Sequence, residues 1–359
     1  MISTNNLLKN FEQSKSFLQS QNNESIISVY WQERYSKRIY NPEFLENFRS
    51  RDHNNEGLTR DLDDSGVNFN FEDFANLEKV AGYDFIFNNL ENHNIGKPNS
   101  SYLHRNKRID YNRLIMISIL HEYIHVKENN KYIKKDPEIV CEIGGGYGCM
   151  GELIINSFES KFISIDLPEA NMLTTYYLSN IFGDKKFFLY TDYINNGEII
   201  DKETIDNYDI FILPPFVKLS DEVGFDLVIN KSSFMEMRKS TIKYYFNFIQ
   251  KYIHIGGIFL NANRYLKTKV GQSIFFHEYP YDNNWEVLIS KASLLQKQIH
   301  VMITQRLNQK NATSNLKKEL NKIKSNPQSA PDKNTKKFFR KLKKMISIIK
   351  KIIKFPISR

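Results

Sequence analysis

"PEIVCEIGGGYGCMGELI", residues 137–154, decides how the rest of the chain is read. An unalternated apolar run closes on Glu142, glycines follow at 144, 146 and 148, and a helix-forming stretch begins near Met150. Such a run suits a strand buried on both faces. Glycines after it permit turn geometry that a Cβ forbids and let a ligand approach the backbone closely. Comparable runs recur between helical stretches: "KFISID", "DIFILPPF", "FDLVIN" and "GGIFLNAN". "FFLY" at 187–190 is either an extra strand or the true third one, and "WEVLIS" at 285–290 adds a late strand. The alternation predicts an α/β fold, a Rossmann-like doubly wound sheet over residues 137–306. A helical accessory region, 1–136, precedes it, and a basic linker and amphipathic helix, 307–359, follow.

With 41% hydrophobic and 13% aromatic residues in 359, the chain can fill a sizeable core. Its two cysteines, Cys141 and Cys149, flank the glycines and give no disulfide framework, as expected of a reducing cytoplasm. Polar residues interrupt the N-terminal stretch where a signal peptide needs an apolar core, so secretion is not expected. Net charge is +9, but residues 310–359 hold 16 Lys and Arg against 2 Asp and Glu. That leaves 34 basic and 39 acidic residues before them, a mildly acidic body that argues against a nucleic-acid partner. In "KKFFRKLKKMISIIKKIIKF", 336–355, apolar residues repeat at helical spacing opposite Lys and Arg. This stretch is either a helix docked on its own domain or a peripheral anchor on an anionic membrane surface.

Glu142, two positions before the first glycine, stands at a strand's carboxyl end, where it would attract an ammonium group and repel a pyrophosphate. Asp166, eighteen residues past Gly148, ends the second run and can accept hydrogen bonds from both hydroxyls of a ribose. Its structural alternative is a helix cap, because Pro168 and Glu169 open the next helix. Ammonium, ribose and no phosphate describe S-adenosylmethionine.

"VCEIGGGYG", "ISIDLPEA", "ILPPF", "FDLVINKSSFMEM", "GGIFLNANRY" and "YPYDNNWEVLIS", in this order, resemble the sugar O-methyltransferase family of class I S-adenosylmethionine-dependent enzymes. "YW" at 30–31, "NFR" at 47–49 and "GKP" at 96–98 extend the resemblance into the leader; the basic tail lies outside it. The resemblance implies methyl transfer to a sugar, nucleotide-sugar or glycan hydroxyl in bacterial surface polysaccharide biosynthesis. It places the methionine and ribose moieties at Glu142, Gly144, Gly146 and Gly148, the ribose at Asp166, and adenine near Leu213 and Pro214.

Methylating an alcohol needs an aligned oxygen and a base, and in open α/β sheets both come from loops at the strands' carboxyl ends. His277 is the first candidate base, since neutral imidazole is available near pH 7, and Glu236 the second. Asn230, Asn263 and Arg264 are expected to orient substrate hydroxyls. A divalent metal held by Glu236 or Asp282 is the alternative to a base, although no metal ligand set is assigned. Two other readings compete. One is transfer to another small metabolite on the same fold; the other is a zinc peptidase through His121-Glu122-x-x-His125 on the helix "LIMISILHEYIHVKEN". A peptidase needs a third ligand in the same domain, whereas a buried strand begins within fifteen residues, so the two histidines are expected to be packed polar groups.

Overall fold

The computed structural model describes residues 2–20, 28, 31–33, 40–50, 71–98, 103–130, 133, 135–268, 270–308 and 315–330. The tail stretch 336–355 lies outside them, as does Tyr30.

Eight strands form the central sheet: β1 (Ile139–Ile143), β2 (Lys161–Ile165), β3 (Phe187–Leu189), β4 (Ile210–Leu213), β5 (Phe225–Lys231), β6 (Ile253–Arg264), β7 (Trp285–Ala292) and β8 (Ile299–Arg306). Their order is β7-β8-β6-β5-β1-β2-β4-β3. β8 alone runs antiparallel, paired to β6 on one side and β7 on the other. The chain therefore winds outward in both directions from β1, a doubly wound α/β sheet of the Rossmann kind with an antiparallel insertion. "FFLY" forms the edge strand beyond β4. The strand at 299–306 was absent from the expectation, because its isolated run reads no differently from a buried helix segment; the hairpin with β7 is what fixes it.

Strand residues alternate between two cores. Val140, Ile210, Ile212, Leu227, Ile229, Leu260 and Val301 face one, whereas Cys141, Ile143, Ile163, Phe211, Val228, Phe259 and Met302 face the other. Burial on both faces is why these runs do not alternate in polarity.

Helices in the leader are α1 (Thr4–Ser20), α2 (Pro42–Asn47), α3 (Phe71–Ala81), α4 (Tyr83–Asn89) and α5 (Tyr111–Asn129). In α1, Leu7, Phe11, Ser14 and Leu18 are buried at helical spacing. Asp110 caps α5 by accepting from the Arg113 N–H at 2.9 Å. Helices of the sheet region are α6 (Cys149–Phe158), α7 (Pro168–Ile181), α8 (Tyr190–Asn195), α9 (Lys202–Asn207) and α10 (Lys239–Tyr252). Leader and sheet share one continuous core, in which Leu7, Phe48, Leu77 and Leu114 pack with Leu153, Tyr177 and Leu227. A last helix, α11 (Leu316–Ser325), buries Leu316 and Ile323 in the opposite core where a flexible linker was expected.

An ionic network crosses the junction. Both Arg113 terminal nitrogens donate to the Glu152 carboxylate on α6, Nη2 at 3.0 Å, and Arg49 Nη2 donates to Glu91 at 3.0 Å. The Tyr177 hydroxyl on α7 donates to Glu152 at 2.6 Å and Glu91 at 3.2 Å. Arg113 and Glu152 side chains are 2% and 6% exposed, so removing one partner strands a buried charge. Arg113→Ala should therefore lower unfolding free energy by about 3–5 kcal/mol. Lys202→Ala, at an exposed pair with Asp206, should cost about 0–1 kcal/mol. Urea denaturation of the two variants checks the contrast.

Candidate functional site

After β1 the chain turns at Gly144, whose φ is +76° and whose N–H donates to the Ile165 carbonyl at 2.9 Å. A Cβ there would sit 1.9 Å from Ser233 Oγ, so the loop after β5 can approach the turn only because Gly144 has no side chain. Gly146, φ +66°, donates its N–H to Asp166 Oδ2 at 2.9 Å. Gly148, φ +98°, caps α6. A pocket opens over this turn, lined by Glu142, Gly144–Gly146, Tyr147, Asp166, Lys231–Ser233, Met235, Glu236, Arg264, Lys267, Gln296, Gln298 and Ile299, with Trp31, Asn112 and Met116 from the leader.

Glu142 is 2% exposed, and its Oε2 has no hydrogen-bond partner. A buried carboxylate in this state is costly unless something donates to it. Burial, reinforced by the neighbouring Asp166 charge, pushes its pKa up to about 8, with Lys231 pulling the other way. Asp166 is half-buried and accepts from both Gly146 N–H and Leu167 N–H, the latter at 2.7 Å. Its pKa also rises, to about 6, because burial outweighs those two bonds. Asp166 does not cap α7, whose N-cap is Leu167 with no side-chain cap bond; one of its oxygens accepts from the Leu167 N–H while the other shapes the glycine turn.

Glu236 lines the pocket from a single 3₁₀ turn, Phe234–Glu236, and its Oε1 accepts from Lys267 Nζ at 3.2 Å. Ser232, just before that turn, holds φ +58°, a conformation that disfavours side chains other than glycine and is found at functional sites.

Several sequence-derived site residues are placed elsewhere. Asn230 and Asn263 are 0% exposed and fully engaged. Asn263 Nδ2 donates to Asn230 Oδ1 at 2.8 Å and Asn261 Oδ1 at 2.7 Å, while the N–H groups of Phe234 and Met235 donate to the Oδ1 atoms of Asn230 and Asn263. They hold the 233–236 turn from behind rather than face a substrate. Leu213 and Pro214 are buried beneath the pocket and do not line it. The apolar walls beside Asp166 are instead Leu167, Met237 and Tyr245, in a recess that also holds the unpartnered Thr241 and Ser28 hydroxyls. His277 sits in the turn Phe276–Glu278, against which α11 packs, and does not line the pocket. Its chain neighbourhood suggested a strand-end loop, but its turn packs against α11 instead of opening on the glycine turn. Arg264 does line it. Lys231, Ser233, Lys267, Gln296 and Gln298 were missed; only Lys231, at the end of β5, had a signal in the sequence.

Among the described residues, no third ligand converges on His121 and His125 of the His121-Glu122-x-x-His125 pattern. His121 is half-buried and packs edge-on against Phe85, ring centroids 5.6 Å apart, as a packed polar group should, whereas His125 is exposed; Glu122 is buried and pairs with Lys291 Nζ at 2.7 Å. Among the described residues, the one trio with converging ligand atoms is Glu91, His93 and Glu152. Arg49 and Arg113 already neutralise its carboxylates, which leaves no field for a divalent cation.

No protein-family model and no curated protein sequence matches the chain. Among solved structures, the mitomycin 7-O-methyltransferase MmcR is 13% identical, covering 55% of this chain and 56% of its own, with a TM-score of 0.34. Geranyl diphosphate C-methyltransferase from Streptomyces coelicolor, in complex with S-adenosylhomocysteine, is 12% identical over 54% and 79%, TM-score 0.33. TehB from Haemophilus influenzae is 14% identical over 51% and 61%, TM-score 0.32. Similarities of this size establish neither kinship nor activity. No described helix is long and apolar enough to cross a membrane.

A pKa raised from 4.5 to about 8 means that folded Glu142 binds a proton the unfolded chain has released across that window. Its contribution to stability is therefore largest below pH 4.5 and falls as pH rises towards 8. Glu142→Gln should flatten that fall and raise the melting temperature at pH 8 more than at pH 5, as thermal unfolding at the two pH values would record.

Proposed function

We propose that the protein is an S-adenosylmethionine-dependent O-methyltransferase acting on a sugar hydroxyl. The observation that carries this reading is the buried Glu142 beside the glycine turn, its Oε2 without a hydrogen-bond partner, with Asp166 directly after the adjacent strand. Two facing carboxylates suit a ligand with an ammonium group and a diol. Glu142 would hold the ammonium and Asp166 the ribose hydroxyls. The recess of Leu167, Met237, Thr241 and Tyr245 would take the adenine, with Thr241 Oγ1 and Ser28 Oγ as its hydrogen-bonding atoms.

When bound, S-adenosylmethionine would supply an electrophilic methyl carbon open to in-line attack by an acceptor oxygen, its sulfur leaving as a neutral thioether. Glu236 would take the acceptor's hydroxyl proton, with Lys267, which donates to its Oε1 at 3.2 Å, keeping the carboxylate oriented. Trp31, Asn112, Gln296 and Gln298 would position the acceptor, an indole face and amides being suited to a sugar's C–H face and hydroxyls. Alignment of this kind is worth up to about 7–11 kcal/mol, and a positioned base about 10²- to 10⁴-fold. A role in bacterial surface polysaccharide synthesis, with the basic segment 336–355 resting on an anionic membrane, belongs to the same reading and draws on the resemblance and the tail's charge.

Calorimetry tests the cofactor. S-adenosylmethionine should bind, and Glu142→Gln should weaken it roughly tenfold to a hundredfold, the worth of one hydrogen bond to a charged group. An ammonium favours ionised Glu142, so binding near pH 7 should expel a proton, and the heat should change between phosphate and Tris buffers in the wild type but not in the variant. Buffer-independent heat in the wild type would refute the pairing. Glu236→Gln should leave that affinity in place and cut transfer of a labelled methyl to sugar acceptors about 10²- to 10⁴-fold. Deleting 331–359 should release the protein from phosphatidylserine vesicles without altering cofactor affinity, which co-sedimentation would show.

A further inference from the structure

Helix α11 stands where a flexible linker was expected, and its two faces differ in kind. Leu316 and Ile323 are buried in the core that holds Ile274, Phe276 and Trp285, with Leu320 packed at its edge. Just ahead of the helix, the Asn315 side chain pairs with the Val287 backbone on edge strand β7, accepting from its N–H at 2.8 Å and donating to its carbonyl at 3.1 Å. Asn315 at one end and Ile323 near the other hold α11 to the sheet, so whatever its outer face presents is fixed relative to the fold. Inward, α11 leads to the pocket. It packs on the turn Phe276–Glu278, and the strand pair before that turn sets Ile274 opposite Lys267, a pocket-lining residue.

The outer face is basic. Lys317, Lys318, Asn321, Lys322, Lys324 and Ser325 are exposed, whereas the acid of this helix, Glu319, is half-buried and pairs with Lys322. Four lysines against one glutamate leave a net charge of +3 on ten residues. Lys318 and Lys322 stand four apart, a like-charge spacing that costs a helix stability, so solvation alone does not favour the arrangement. Ala330 lies six residues before Lys336, where the basic amphipathic stretch begins, so the two are at most about 22 Å apart. A surface that holds 336–355 therefore has α11 beside it. Apolar residues spaced among the lysines of that stretch, such as Phe338, Leu342 and Ile349, suit lipid rather than nucleic acid.

We infer that the lysine face of α11 is a docking surface for an anionic membrane, engaged together with segment 336–355, and that it holds the protein with a fixed side toward the lipid. The inference rests on the membrane attachment proposed for that segment and is independent of the methyltransferase reading.

The test is co-sedimentation of the full chain with vesicles of phosphatidylcholine, alone or mixed with phosphatidylserine. Wild-type protein should bind the mixed vesicles and not the neutral ones. Lys317→Gln, Lys318→Gln and Lys324→Gln combined should weaken that binding about tenfold to a hundredfold, a few-fold for each charge withdrawn from the lipid surface. Lys317→Arg, Lys318→Arg and Lys324→Arg combined should preserve it, and both variants should melt at the wild-type temperature. Undiminished binding by the glutamine variant overturns the docking face; if deleting 331–359 still releases the protein, the attachment through the tail stands without it. Binding that survives the deletion but not the glutamine changes sustains the face and refutes the tail. Failure of the wild type to bind mixed vesicles overturns both, as does tighter binding to a DNA duplex than to vesicles at equal salt.

Discussion

The ion pair between Arg113 and Glu152 is the constraint on which the arrangement of this molecule depends. It joins the longest leader helix to the helix that starts at the glycine turn, and it does so in a region nearly closed to water. Neither charge could stay there alone, so leader and sheet have a strong reason to be assembled together. Tyr177 and the second pair, Arg49 with Glu91, extend the same network, and Arg49 also lies 5.1 Å from the ring of Tyr147 in the glycine turn. One consequence is that Trp31, Asn112 and Met116 can serve as walls of a pocket whose floor belongs to the sheet.

Within that pocket the governing quantity is unbalanced carboxylate. Burial raises the proton affinity of both Glu142 and Asp166, and the neighbouring Asp166 charge raises that of Glu142 further. A fold tolerates such a pair where a ligand compensates it, because the cost of keeping both charges apart from water is recovered on binding. Ser232, strained at φ +58°, and Gly144, bare of a side chain, are the local concessions that let the β5 loop close over the same spot. Behind them, the three asparagines at 230, 261 and 263 spend their amides on one another, on the loop backbone, on the Ile143 carbonyl and on the Tyr281 hydroxyl, giving the 233–236 turn a fixed shape without presenting any group to the pocket.

Strands β1, β2, β4, β5 and β6 were legible because each is buried on both faces and carries a run of β-branched and aromatic residues; the glycine turn and its two acids followed from their spacing to strand ends. β8 was not legible, since its identity rests on hydrogen bonds to strands on either side. His277 and Asn230 illustrate the same limit at the site. Both stand at places where a chain-order argument allows a functional group, yet one lies under α11 and the other has every amide atom committed internally.

Sequence by itself determined the doubly wound sheet, the glycine turn and the roles open to Glu142 and Asp166, because these depend on local composition and on short spacings along one strand–turn–helix unit. Only the tertiary structure decided which side chains share the pocket. Lys267, Gln298 and Trp31 are far from Glu142 in the chain and reach it through sheet order and the buried ion network, which no local pattern encodes.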